Sequence, residues 1–421
     1  MPPGTVFPVL RPYFLLARVP HAFALLSASL LARMHQPAIS LVLTFLIADR
    51  TGSYAAGGVV GGAITVAQAV AAPLRGRAAD RTGPGRVLVI TGCGYGLGLA
   101  LLAFLAGPEG WLPAENWWLL VPVAAATGLS FPPAGQVGRA MWLRIADGPA
   151  RRAAFAVEAT AQELLFVIAP ILAAFAVAAQ GAFAATLWCA AVGALGPVVF
   201  ALVLRRAGIT AAPAGERSRA ARRLLAVPGF ALALGFTCLM IAGVVAVDLL
   251  IVGWSRDRGA PELAGYLAAV WAVGSLIGGL LLGAARGRPR LWLRGALVAT
   301  GLLALVPVLP PVADPGSPWV VGAVLLVGGL GIAPMFAANN AQLGELAPDG
   351  RRAEAFGWLG SAGTAGAALA APLTGALLDV AGPAAAAATG ASLAFAAVCL
   401  AAHPNLRGSR PAPAAEDTAV T

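Results

Sequence analysis

Long apolar runs, each followed by a short break rich in Arg, Gly or Pro, make up nearly the whole chain. Matching run against break puts helices near residues 21–48, 53–75, 87–106, 117–144, 152–179 and 182–204. A second set follows near 226–254, 261–285, 291–311, 318–344, 353–379 and 383–402. Most of these runs reach the ~20 residues that a helix needs to cross about 30 Å of hydrocarbon. The pattern predicts an all-α membrane protein with about twelve transmembrane helices and almost nothing outside the bilayer.

Composition agrees with the pattern: of 421 residues, 59% are apolar and 11% charged, and the mean hydropathy is +0.83. What remains is too little to make a water-soluble surface, so lipid is the expected partner of most of the chain. The net charge of +10 would suggest nucleic acid in a soluble protein. Here the basic residues lie between apolar runs, which points to membrane topology, and no nucleic acid is expected. Cys93, Cys189, Cys238 and Cys399 sit far apart inside apolar runs and lack metal-ligand spacing, so neither metal nor cofactor is expected. The first run is longer than a signal-peptide core and reads as a retained span.

Arginine positions give the bundle an orientation. With the N-terminus inside, the inner segments hold Arg11 and Arg18, Arg75 to Arg86, Arg139 to Arg152, Arg205 to Arg223, Arg286 to Arg294, Arg351 and Arg352, and Arg407 and Arg410. Only Arg50, Arg256 and Arg258 fall outside, and Arg33 lies within a span. Loops rich in arginine stay cytoplasmic, so both termini are expected there.

The halves repeat. A shift of 202 residues maps Pro132 onto Pro334, Asp147-Gly148 onto Asp349-Gly350, and Ala169-Pro170 onto Ala371-Pro372. Two pseudo-symmetric six-helix bundles in parallel orientation are the consequence. The boundaries read as 1–204 for the first bundle, 205–225 for a polar linker, 226–403 for the second bundle and 404–421 for a disordered tail.

Between the second and third spans the sequence reads Gly76-Arg-Ala-Ala-Asp80-Arg81-Thr-Gly83-Pro-Gly85-Arg86. This resembles the G-x-L-a-D-R-x-G-R-k signature of the major facilitator superfamily. Gly76, Asp80, Arg81 and Gly83 match; Ala78 replaces the usual Leu, and Pro84-Gly85 displaces the basic pair, leaving Arg86. The resemblance covers nearly the whole chain. It implies the major facilitator fold and a gating loop, Gly76, Asp80, Arg81, Gly83 and Arg86, that latches the cytoplasmic side in the outward-open state. In the fifth span, Ala169-Pro170-Ile-Leu-Ala173-Ala174 looks like the G-P-x-x-G-G end of an antiporter motif with alanine for every glycine. It reads as an antiporter signature or as close packing, and Ala371-Pro372 is its counterpart in the eleventh span.

Charged groups at membrane depth are costly unless paired or wetted, so each is a functional candidate. Arg33, His35 and Gln36 lie beside Pro37 in the first span, ~20 Å deep, where a substrate site is expected. Counted from Arg152, Glu158 in the fifth span lies at ~9 Å and Glu163 at ~17 Å. By depth, Arg139 is expected to pair with Glu158 and Arg33 with Glu163. The first pair reads as a structural clamp or a part of the pathway, the second as a proton-exchanging site in which His35 either shares the proton or packs. Asp248, in the outer seventh span, reads as a proton entry or a wetted helix end. Asn339, Asn340 and Gln342 in the tenth span either bind substrate or tie helices together. Trp142, Trp254, Trp271, Trp292, Trp319 and Trp358 lie near span ends and read as interfacial anchors.

The expectation is a monomeric, proton-coupled secondary transporter that exports small organic or drug-like molecules by alternating access. A nutrient or metabolite symporter of the same fold is the alternative. His21, His35 and His403 are scattered without ligating partners, and no nucleotide-binding loop is present, so neither an enzyme nor an ATP-driven pump is expected.

Overall fold

The computed structural model describes residues 11–108, 111–209, 224–260, 262–282 and 290–407. Most of the expected linker and tail lies outside the described residues, as do Arg286 and Arg288. In chain order the α-helices are α1 (Arg11–Ala17), α2 (Ala22–Leu31), α3 (Ile39–Thr51), α4 (Tyr54–Thr82), α5 (Pro84–Ala106), α6 (Leu120–Leu129), α7 (Ala134–Ile145) and α8 (Gly148–Arg206). They continue as α9 (Phe230–Asp257), α10 (Leu263–Leu282), α11 (Leu291–Leu303), α12 (Trp319–Gly329), α13 (Ile332–Leu346), α14 (Arg352–Ala401) and α15 (Pro404–Arg407). No strand occurs among the described residues. That is what lipid demands, since a helix satisfies its backbone polar groups within one segment.

Nine helical stretches among the described residues are long and apolar enough to cross a membrane. Two of them are double. α8 has 59 residues, about 90 Å at 1.5 Å per residue, and leaves helical geometry at Gly181 (φ 83°). α14, with 50 residues, does the same at Gly382 (φ 80°). Each therefore folds back as two spans. Together with the interrupted first span, α2 and α3, the arrangement is consistent with twelve.

The sequence repeat is visible in the chain path. α6 and α7 form one span broken before Ala134 at the Pro132-Pro133 step, and α12 and α13 form another broken before Pro334. Asp147 and Asp349 both precede a left-handed glycine, Gly148 and Gly350, at the entry to a doubled helix. Each takes the arginine of the following turn: Asp147–Arg151 at 2.5 Å and Asp349–Arg352 at 2.6 Å.

The second-to-third-span loop is shorter than expected. α4 continues helically through Gly76 and Asp80 to Thr82, and α5 begins at Pro84. Gly83 alone, with φ 105°, makes the turn, a conformation that a side chain disfavours, and Pro84 supplies the preset φ of a first helical residue.

Packing divides the bundle into two ends. At the arginine-rich end one core joins both halves: Leu25, Trp142, Phe155 and Phe200 of the first half pack with Phe230, Ala333, Leu343 and Phe356 of the second. At the other end the halves have separate cores, one around Val42, Tyr95 and Ala169, the other around Trp254, Leu302 and Ala387. The protein is closed at the basic end and splayed at the opposite one. Around the outside, exposed Phe23, Leu97, Phe104 and Leu195 present the apolar belt that faces lipid.

The motif in the fifth span packs closely, but its counterpart does not. Ala169 is buried against the first half's outer core and Pro170 lies within α8, whereas Ala371 and Pro372 are exposed. Ala371 and Pro372 lie on the outer face of α14, since Ala370 and Thr374 on either side of them are buried.

Candidate functional site

Between the halves lies a cavity of about 650 Å³, lined from the first half by Arg33, Gln36, Arg139, Gln162 and Glu163 and from the second by Asp248, Trp271, Asn339 and Asn340. Phe131, Phe166, Phe336 and Phe356 supply apolar wall. The volume and the mixed lining are those of a small-molecule site.

On the first-half side the polar groups form one buried network. Arg33 Nη1 lies 3.2 Å from Glu158 Oε1 and donates to Gln162 Oε1 at 2.8 Å, while its Nε donates to the Ser29 carbonyl at 3.1 Å. Glu158 Oε2 accepts from the Trp142 indole at 2.8 Å. Arg139 Nε stands 3.7 Å from Glu158 Oε1. Arg33 thus pairs with Glu158, not with Glu163 as depth counting predicts. The reason is the path of the side chain: Arg33 folds back along its own helix, its Nε on the Ser29 carbonyl one turn nearer the basic end, which lowers the guanidinium by about 6 Å toward the depth of Glu158.

Glu163 is left without a hydrogen bond or ion pair among the described residues, and so is Asp248. Both face the cavity, Glu163 from α8 and Asp248 from α9. Two carboxylates from opposite halves, open to the cavity and without a cation partner among the described residues, form the site's acidic pole. Further along, Asn339 donates to Thr237 Oγ1 at 2.9 Å, tying α13 to α9, while its own oxygen has no partner. Gln342 donates to the Leu406 carbonyl at 2.6 Å and serves as a tie.

His35 does not reach the cavity. Its ring is buried between Tyr95 and Phe131, with centroids 5.1 and 5.8 Å away. Nor are three of the tryptophans interfacial: Trp142 and Trp254 are fully buried, and Trp271 is buried on the cavity wall. Lying near a helix end fixes depth, but the face of the helix decides whether a side chain meets lipid.

The basic end is shut by groups from α4 and α14. Asp80 accepts two backbone N–H bonds from the first turn of α14, from Ala353 at 3.2 Å and Glu354 at 2.9 Å. A carboxylate at a helix N-terminus is well placed, because those N–H groups have no partner within the helix. Glu354, itself buried, takes Arg77 at 2.7 Å and Arg351 at 2.7 Å. Gly76 lies against the Ala353 carbonyl so closely that no Cβ would fit. Ser361 donates to the Ala69 carbonyl at 2.6 Å and Arg352 to the Leu143 carbonyl at 3.1 Å. Arg81 and Arg86 are exposed. Glu354 and Ser361 belong to this closure and were missed in reading the sequence; for Glu354 the available signal was its place in a first helical turn, two residues after Arg351-Arg352.

The sequence profile of the Major Facilitator Superfamily matches residues 22–328 and 229–420. The chain belongs to this superfamily. Solved structures of similar shape include a bacterial homologue of the iron transporter ferroportin, in an outward-facing state with soaked iron. It is 18% identical, with a TM-score of 0.69 over 90% of this chain and 98% of that one. Another is the human organic anion transporter MFSD10 (TETRAN), 18% identical, with a TM-score of 0.63 over 94% of this chain and all of that one. A comparison with curated proteins finds no match. Superfamily membership makes the chain a multi-pass membrane transporter, and the cavity between its halves is where such a protein would hold a small molecule.

Proposed function

We propose that the chain is a proton-coupled secondary transporter that exports small organic molecules across the cell membrane by alternating access. In this reading it works as a monomer with both termini in the cytoplasm. The basic end is then the cytoplasmic one, and the cavity opens outward. The halves, 1–204 and 226–403, rock about the cavity, while 205–225 links them.

One observation carries the reading: Glu163 and Asp248 face a single cavity from opposite halves, and neither has a cation partner among the described residues. A carboxylate that is wetted in one state and enclosed in the other changes its proton affinity between states, which is what proton coupling requires. The closure of the basic end by Asp80, Arg77 and Glu354 supports an outward-facing conformation. That is also the state named for the ferroportin homologue, and organic cargo is the kind named for MFSD10.

The test is transport in proteoliposomes with an imposed proton gradient and a panel of fluorescent organic compounds. The reading expects compound to move against inward-running protons, and Glu163→Gln or Asp248→Asn to abolish the dependence on the gradient. Uptake in the same direction as the protons would contradict export and favour the symporter.

A further inference from the structure

At the closed end of the cavity two guanidinium groups share one carboxylate. Arg33 Nη1 is 3.2 Å and Arg139 Nε 3.7 Å from the same oxygen of Glu158. Its other oxygen is taken by the Trp142 indole. One carboxylate carries one negative charge against two guanidinium groups, so the cavity floor keeps a surplus positive charge. Arg33 Nη2 and Arg139 Nε have no hydrogen-bond partner, although the Arg33 side chain is only 2% exposed. Buried cations and polar atoms are normally paired, so these open positions await a ligand, and an arginine fork suits an oxyanion.

The acidic pole lies elsewhere on the same wall. Glu163 follows Glu158 by five residues on α8, about 7.5 Å further toward the open end, and Asp248 faces it from the other half. Arg75, the remaining lining arginine, gives its Nη donors to the carbonyls of Gln68, Gly128 and Leu129, while its Nε has no partner and its charge adds to the positive side of the cavity. The cavity is thus polarised along its length, positive at the floor and negative toward the opening.

We infer that the transported molecule is amphoteric, with an acidic group held on the floor by Arg33 and Arg139 and a basic group held by Glu163 and Asp248. This rests on the reading of the cavity as the transport site. It also gives the acidic pair a second use: protons arriving from the open side displace the basic group and loosen the substrate, which is the order that export against protons needs.

Binding to the full chain in nanodiscs, measured by calorimetry at constant pH, tests this with three matched probes. These are 8-aminooctanoic acid, octanoic acid and 8-aminooctanamide, which are amphoteric, anionic and cationic. The amphoteric probe is expected to bind at least about tenfold tighter than either of the others. Arg139→Gln should weaken the two acids and spare the amide; Glu163→Gln should weaken the two amines and spare octanoic acid; Arg139→Lys, which keeps the charge, should restore most of the loss. Equal affinity of the amphoteric probe and the amide for the unmodified protein would overturn the inference without any variant, as would the binding of no probe. The triple variant Ala69→Trp, Ala268→Trp, Ala272→Trp, which fills most of the cavity, separates the two proposals. If it leaves binding intact, the cavity is not the site and the proposed function falls too. If it blocks binding that is indifferent to the acidic group, only the amphoteric substrate falls.

Discussion

Replacing Asp80 by asparagine removes one negative charge from the closure at the basic end and leaves the shape of the side chain almost unchanged. In the native protein the carboxylate receives the Ala353 and Glu354 N–H groups at 3.2 and 2.9 Å. Hydrogen bonds to a charged group contribute about 1.5–3 kcal/mol each where solvent is excluded. Asp80 is half-buried, and asparagine retains one acceptor, so the loss is about 2 kcal/mol rather than the full sum. Because these bonds join α4 to α14, they exist only while the basic end is closed. Their loss therefore shifts the conformational equilibrium, by about 30-fold toward the open basic end. Spin labels at exposed Thr82 and Glu345, in a background lacking the four native cysteines, report the separation by double electron–electron resonance. Asp80→Asn should add a population at longer distance that the unsubstituted protein lacks. A distance distribution unchanged within about twofold in its populations would refute the assignment of Asp80 as a latch.

Other substitutions separate structural from transport roles. Glu158→Gln leaves Arg33 and Arg139 without their shared carboxylate and should lower stability by about 3 kcal/mol, seen as earlier thermal unfolding in detergent. Glu163→Gln, whose side chain is unpaired, should leave the same unfolding curve within about 0.5 kcal/mol. Gly76→Val places side-chain atoms against the Ala353 carbonyl, so transport should fall more than tenfold, by about 1.4 kcal/mol or more, while the protein still reaches the membrane. His35→Phe should retain transport within about twofold and unfold no earlier, since it removes two partnerless ring nitrogens from an aromatic setting outside the cavity.

The spans were legible because lipid imposes a length and an apolar content on each, and the repeat and the arginine pattern are carried by residues that a loop or turn needs. The facing of side chains was not. In a span such as 182–204 almost every position is apolar, so no polar stripe marks which side meets lipid, and Trp142, Trp254 and Trp271 were assigned from depth alone. Nor does backbone depth fix where a long side chain ends: Arg33 turns back toward the Ser29 carbonyl, a turn nearer the basic end, and so meets Glu158 and not Glu163. The cavity still gathers Arg33, Gln36, Arg139, Glu163, Asp248, Asn339 and Asn340, all of which intramembrane polarity singled out, because few other polar groups sit at that depth. His35, equally deep, is absent from the lining since the first span unwinds between α2 and α3 and turns the ring toward Tyr95.

The decisive measurement compares exchange with net transport. In proteoliposomes, a compound identified as cargo should accumulate in proportion to an imposed proton gradient when the chain is intact. The Glu163→Gln, Asp248→Asn double variant should still exchange labelled for unlabelled compound, yet show no response to the gradient. Gradient-driven accumulation by the double variant at the rate of the intact protein would contradict the assignment of these two carboxylates as the proton carriers.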